Sequence, residues 1–157
     1  IYKLDRQLQV LDSWGHPGDG DGELNSPRGL AIYRHYGQML TLEKQCAQYL
    51  WIGADLKNIQ FSRVDDPVIG PKLRLDYLLT ERSWVDAWVE DKDGVKLATL
   101  LRHRLQKQGG QSLFWNGDLD TGFRIQSGAY QLVFHVEATY SSATYVVKEV
   151  RRKFTVK

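Results

Sequence analysis

Few side chains in this sequence could do covalent or metal chemistry, and their spacing argues against it. The densest acidic stretch is Asp19-Gly20-Asp21-Gly22-Glu23. Hard cations want several oxygens on a tight turn, so these carboxylates invite a calcium reading. The stretch lacks the spacing of an EF-hand, and Asp-Gly pairs are ordinary turn formers. The same turn reading covers Asp91 with Asp93 and Asp118 with Asp120. The four histidines, His16, His35, His103 and His135, lack the close pairing of a zinc site and read as surface or structural residues. Cys46 is the single cysteine; it falls in a predicted turn and reads as a buried or inert thiol. No nucleophile motif and no phosphate-binding glycine loop is present. The expectation is therefore a protein that is not an enzyme and uses no metal and no cofactor.

What remains is surface chemistry. If Val85, Ala87 and Val89 face a core, Trp84 and Trp88 share the opposite face and flank Asp86. Large aromatics outside a core act as interface anchors or sugar-stacking platforms. Contact with another protein is the favoured expectation, ahead of cover by the chain's own N-terminal part or a glycan. Two basic clusters are Arg102-His103-Arg104 with Lys107, and Lys148 with Arg151-Arg152-Lys153. They could meet an anionic partner, but charges on a last strand also keep a sheet edge from pairing with strangers. Trp84, Trp88, Arg102, Arg104, Arg151 and Arg152 are the candidate partner-binding residues. His135 sits between Phe134 and Val136, so it should point away from the core.

The elements that must position these groups are strands. Leu73, Leu75, Tyr77 and Leu79 alternate onto one face, as do Tyr130, Leu132, Phe134 and Val136. Period-two alternation with one apolar face is the signature of an antiparallel sheet over a core. Seven strands are predicted at 59–63, 72–80, 84–90, 96–105, 111–115, 129–138 and 144–156, with Ser141 and Ser142 in the last hairpin loop. Two such sheets must face each other, which makes a sandwich. Before them, 8–14 reads as a strand, 15–27 as an irregular loop, and 29–33, 39–43 and 48–52 as three short strands. The pattern resets across 54–58, a predicted linker between a 1–53 segment and a 59–157 domain. No segment carries helical periodicity over a useful length.

Bulk composition sets wide limits. The chain has 157 residues, a net charge of +2, five Trp and eight Tyr. That length suits one ordinary domain or two small ones. The charge is too small to imply nucleic acid, and none is expected as a partner. One cysteine permits no internal disulfide, and no apolar run approaches the roughly 20 residues that cross a bilayer as a helix. A chain beginning at Ile1 rather than Met reads as a processed or excised piece.

Two stretches resemble known families. Ser13-Trp14-Gly15 through Gly20-Asp21-Gly22-Glu23-Leu24-Asn25-Ser26-Pro27-Arg28-Gly29-Leu30-Ala31, with the short strands after it, resembles an NHL repeat, the unit of a family of β-propellers. It departs from that family at Leu42-Glu43-Lys44. The match supplies one repeat and the tail of another, whereas a propeller closes with about 4–8 blades. Leu73 to Leu79, Val85 to Gly94, Leu97 to Leu101, Trp115-Asn116-Gly117-Asp118-Leu119-Asp120-Thr121-Gly122 and Gly128 to Ala138 resemble the immunoglobulin-like domain of flagellar hook-cap (FlgD-type) scaffold proteins. Asn116 stands where that family more often has Asp. Together the resemblances imply an all-β fold: a partial propeller-blade-like antiparallel sheet, then an Ig/fibronectin-III-like β-sandwich. They imply a non-enzymatic structural or interaction module of a secreted or cell-envelope bacterial protein. It would assemble with protein partners, in part by strand pairing with the blade. The alternative is a carbohydrate-binding accessory module of an extracellular enzyme.

Overall fold

Alternating apolar residues need a second layer before they leave water, and the chain supplies two. The computed structural model describes residues 1–66, 70–139 and 147–156; Ser141 and Ser142 and the first three residues predicted for the last strand lie outside them. The chain is all-β. Its strands run Tyr2–Leu4 (β1), Val10–Ser13 (β2), His16–Pro17 (β3), Glu23–Leu24 (β4), Gly29–Tyr33 (β5), Gln38–Leu42 (β6) and Ala47–Trp51 (β7). There follow Leu56–Asp66 (β8), Gly70–Leu79 (β9), Ser83–Glu90 (β10), Lys96–Gln106 (β11), Gly109–Trp115 (β12), Gly128–Ala138 (β13) and Val147–Val156 (β14).

The later seven strands form two antiparallel sheets, ordered β12-β9-β8 and β11-β10-β13-β14. One core lies between them. Leu75, Tyr77 and Leu79 of β9 meet Val85, Ala87 and Val89 of β10 and Leu132, Phe134 and Val136 of β13. The Tyr77 and Phe134 rings lie 5.0 Å apart across the gap, and Phe61 stacks on Phe154 at 5.6 Å where the two edge strands approach. The alternation predicted for these strands is therefore the alternation that is buried. β8 starts at Leu56, three residues before the predicted strand and inside the predicted linker, because Ala54 and Leu56 both enter the core.

The N-terminal part is a three-stranded meander, β5-β6-β7, preceded by the hairpin β1-β2. The strand expected from residue 8 begins at Val10 instead. Leu8 holds a left-handed φ of 62°, and the Asp5 carboxylate accepts the N–H groups of Gln7 and Gln9, so a turn occupies those positions. The loop expected at 15–27 also carries a two-residue parallel pair, β3-β4. Two ion pairs join the hairpin to the sandwich: Lys3 with Glu81 and Lys57 with Asp12. Burial pulls the Lys3 ammonium below its usual pKa, opposed by its bond to Glu81.

Tyr77 carries a hydroxyl into the core between the sheets. Its hydroxyl donates to Gln106 Oε1 at 2.7 Å, and burial pushes its pKa up to about 12, above the ordinary phenol value. The folded state thus keeps its proton where the unfolded chain loses it. Stability from this group is whole below pH 10, falls as pH climbs toward 12, and drops by roughly 2–3 kcal/mol in all. In Tyr77→Phe that alkaline loss should shrink by this amount relative to the parent, read from urea unfolding at pH 9, 10.5 and 12.

Candidate interaction surfaces

Strand β10 turns Trp84, Asp86, Trp88 and Glu90 to the outer face of the four-stranded sheet, as expected. Neither tryptophan is a bare platform. The register slips between Val85 and Ala87, so Arg102 and His103 of β11 both lie opposite Asp86. This bulge puts His103 at a left-handed φ of 41°. A non-glycine residue there costs on the order of 1–3 kcal/mol unless its surroundings hold it. Two contacts do so. Asp86 accepts the His103 N–H at 2.7 Å, and the imidazole stacks on Trp84 with centroids 4.6 Å apart and planes 5° off parallel. Bulges commonly re-aim side chains in this way.

Trp88 is held from three sides. Lys96 Nζ sits 5.3 Å from its ring centroid, its indole N–H donates to Glu90 Oε1 at 2.7 Å, and Val133 lies opposite it in register, fully buried. Glu90 in turn pairs with Arg151, which also donates to Glu149 Oε1 at 2.8 Å. Glu90, then Glu149, lift the guanidinium pKa above its usual value. His135 faces outward opposite Asp86, as predicted. The sequence pointed to the aromatics and, in a basic cluster, to His103, but not to Glu90 two residues along the same strand or to Lys96, which reaches Trp88 from β11.

The basic residues do not converge. Arg151 shares the outer face, whereas Arg152 lies in register with core-facing Leu132. Strand pleat sends neighbours to opposite sides, so a run of charges in sequence is two half-clusters in space. Arg102 lies near Asp120, and Arg104 near the Tyr77 hydroxyl.

Asp91 serves its own turn, as expected, whereas the Asp120 carboxylate reaches across to Thr99 on β11. Asp91 accepts the N–H groups of Asp93 and Val95 at 2.9 Å each. Asp120 accepts both the N–H and the hydroxyl of Thr99, which hold its carboxyl below the usual range. Asn116 Oδ1 accepts the Asp118 N–H at 3.2 Å, so the amide closes its own turn. Glu23 accepts the Gly20 N–H at 2.9 Å, and Asp19 accepts from the Asn25 amide at 2.7 Å. Among the described residues no three of His, Cys, Asp and Glu gather as a metal site. Cys46 is exposed, not buried, because the β6-β7 turn carries it outward; partial desolvation and then Glu43 raise its thiol pKa.

The surface that the candidate residues did not include is on the meander. Register places Tyr33, Gln38 and Trp51 in one row, Ala31, Leu40 and Tyr49 in the next, and Gly29, Leu42 and Ala47 in a third, all on one face. That face carries no charge. Tyr33, Tyr49 and Trp51 are 56%, 53% and 51% exposed, and Leu40 and Leu42 stand beside them. Its reverse side buries Met39 and Thr41. The signal was present in Met39-Leu40-Thr41-Leu42 and Tyr49-Leu50-Trp51-Ile52, which are apolar at both parities. Strands of that kind are built for cover on both faces. The surface also holds an apolar cleft of about 440 Å³ over Leu73, Trp115, Ile125 and Phe154, and a groove of about 1150 Å³ between the hairpin, β5 and the near end of the sandwich.

No protein-family model matches the sequence, and no curated protein matches it. Among solved structures, one that resembles the chain is PorZ, described as an essential bacterial surface component of the type-IX secretion system of Porphyromonas gingivalis. The alignment has 15% identity and a TM-score of 0.34, and it covers 99% of this chain and 20% of PorZ. The chain thus spans about one fifth of that protein's length. Among the described residues no helix is long and apolar enough to cross a membrane.

Trp88→Ala should remove the cover over Val133 and strip Glu90 of its indole donor. We expect a loss of about 1–3 kcal/mol in urea unfolding. A change within about 0.5 kcal/mol would mean that Trp88 is not part of the sheet's own packing.

Proposed function

We propose that the chain is a non-enzymatic interaction module of a secreted or cell-envelope bacterial protein, acting in protein assembly. In this reading β5-β6-β7 is an NHL-type blade, and residues from β8 onward are an immunoglobulin-like domain of the hook-cap type. The second assignment draws support from the partition of seven strands into three and four. It also draws support from Tyr130, at the start of β13, whose hydroxyl donates back to the Gln126 carbonyl at 3.0 Å. A tyrosine bonded to backbone just upstream of the sixth strand is a recurrent corner of immunoglobulin-like sandwiches.

The observation that carries the function is the uncharged face of Tyr33, Leu40, Leu42, Tyr49 and Trp51. Each aromatic side chain covers about 150–250 Å², so three of them half exposed present roughly 250–350 Å² before the leucines are added. With the leucines added the patch matches the largest apolar patch of a typical monomer, about 300–600 Å², which is often functional. In solution the chain should bind a hydrophobic reporter dye. Tyr49→Glu with Trp51→Glu should remove most of that signal while moving unfolding free energy by less than about 0.5 kcal/mol. A monodisperse monomer that ignores the dye and has no affinity for a partner would sink the reading.

A further inference from the structure

The groove beside β5 differs in chemistry from the uncharged face. Its floor is apolar: Leu30 and Ile32 are half exposed there, Leu105 is more than a third exposed, and Met39 and Ile52 lie buried beneath. Its rim is cationic. Arg6, Arg34, Arg82 and Lys107 line it, all exposed, and none forms an ion pair among the described residues. Two carboxylates line the groove: Glu81 is paired, and Asp5, held in its turn, is one charge against four. Asp5 accepts the N–H groups of Gln7 and Gln9, and Glu81 holds Lys3. Elsewhere many cations have a partner, as in Lys57–Asp12, Arg74–Asp76 and Arg151–Glu90. Four unmatched cations around one apolar channel therefore create a local field that favours an anion.

The channel also has an open hydrogen-bonding edge. β5 is the outermost strand of its sheet, so its outer backbone groups have no strand partner among the described residues. A strand laid along that edge would send every second side chain to the side of Leu30 and Ile32, into the groove.

We propose that this groove binds an extended acidic segment of a partner protein, which adds to β5 as a fourth strand. Of the side chains it sends into the groove, the apolar ones cover Leu30, Ile32 and Leu105, and the carboxylates meet Arg6, Arg34, Arg82 and Lys107. The inference rests on the reading of the chain as an interaction module and names the partner's chemistry. A nucleic acid or an acidic polysaccharide would satisfy the rim. It would leave the apolar floor wet and the β5 amides unpaired.

The test uses the whole chain and a fluorescein-labelled decapeptide, Glu-Thr-Val-Thr-Val-Thr-Val-Thr-Glu-Thr, whose Glu and Val all lie on one side of an extended strand, followed by anisotropy. The peptide should bind, and Arg34→Glu with Arg82→Glu should weaken it at least tenfold. Ile32→Asp should do the same, while Tyr49→Glu with Trp51→Glu should leave the affinity within twofold. A Glu/Ser peptide of equal charge, and a peptide N-methylated at every second residue, should each bind at least tenfold more weakly than the Glu/Val probe. Equal binding of the Glu/Ser peptide, or of a sulfated polysaccharide or oligonucleotide, would reduce the groove to a polyanion patch and overturn the proposal. Equal binding of the N-methylated peptide would overturn strand addition. If the probe fails to bind while the reporter dye still marks the Tyr49–Trp51 face, the groove proposal falls and the module reading stands.

Discussion

The contact between β9 and the β10-β13 pair is the constraint on which the rest depends. Leu75, Tyr77 and Leu79 can be dry only while Val85, Ala87, Val89, Phe134 and Val136 lie over them. A one-residue slip in any of these strands would turn its apolar set to water. The outer surface is thereby fixed as well. With those residues inward, Trp84, Asp86, Trp88 and Glu90 must be outward, and the β10-β11 bulge then decides which β11 side chains meet them.

The N-terminal strands have no comparable core of their own. Leu11, Met39 and Thr41 are buried there, while much of the apolar side-chain surface on β5, β6 and β7 remains in water. Their attachment to the sandwich is correspondingly polar. Lys3–Glu81 and Lys57–Asp12 are partly shielded ion pairs at the joint, and such pairs orient neighbouring units more than they stabilise them. A sheet that is apolar on two faces, joined to its neighbour by salt bridges and, among the described residues, unpaired along β5 and β7, is suited to receive other strands or sheets.

Charge follows the same geometry. Runs that look concentrated in sequence, such as Arg151-Arg152, are divided by the pleat, and Arg151 is spent on Glu90 and Glu149. Residues far apart in sequence gather instead: Arg6, Arg34, Arg82 and Lys107 come from four different segments to one rim. Pairing, rather than abundance, separates the structural cations from those available to a partner.

Local pattern alone determined that the chain is all-β, where the seven later strands run to within a few residues, and which residues of β9, β10 and β13 face inward. It did so because burial on one side of a strand imprints a period of two that no other element shares. The turns around Asp91 and Asn116 were equally legible, since short acids and amides bond to backbone within a few residues, whereas the Asp120 carboxylate is spent on distant Thr99. The Leu8 turn and the exposure of Cys46 were not, since each depends on where neighbouring strands end. Only the tertiary structure decided that Trp84 is paired with His103 and Trp88 with Lys96, that the meander leaves an uncharged face bare, and that four distant cations surround one groove. Those outcomes depend on register, on a single bulge and on which strand lies at an edge, and such long-range choices leave no periodic mark along the chain.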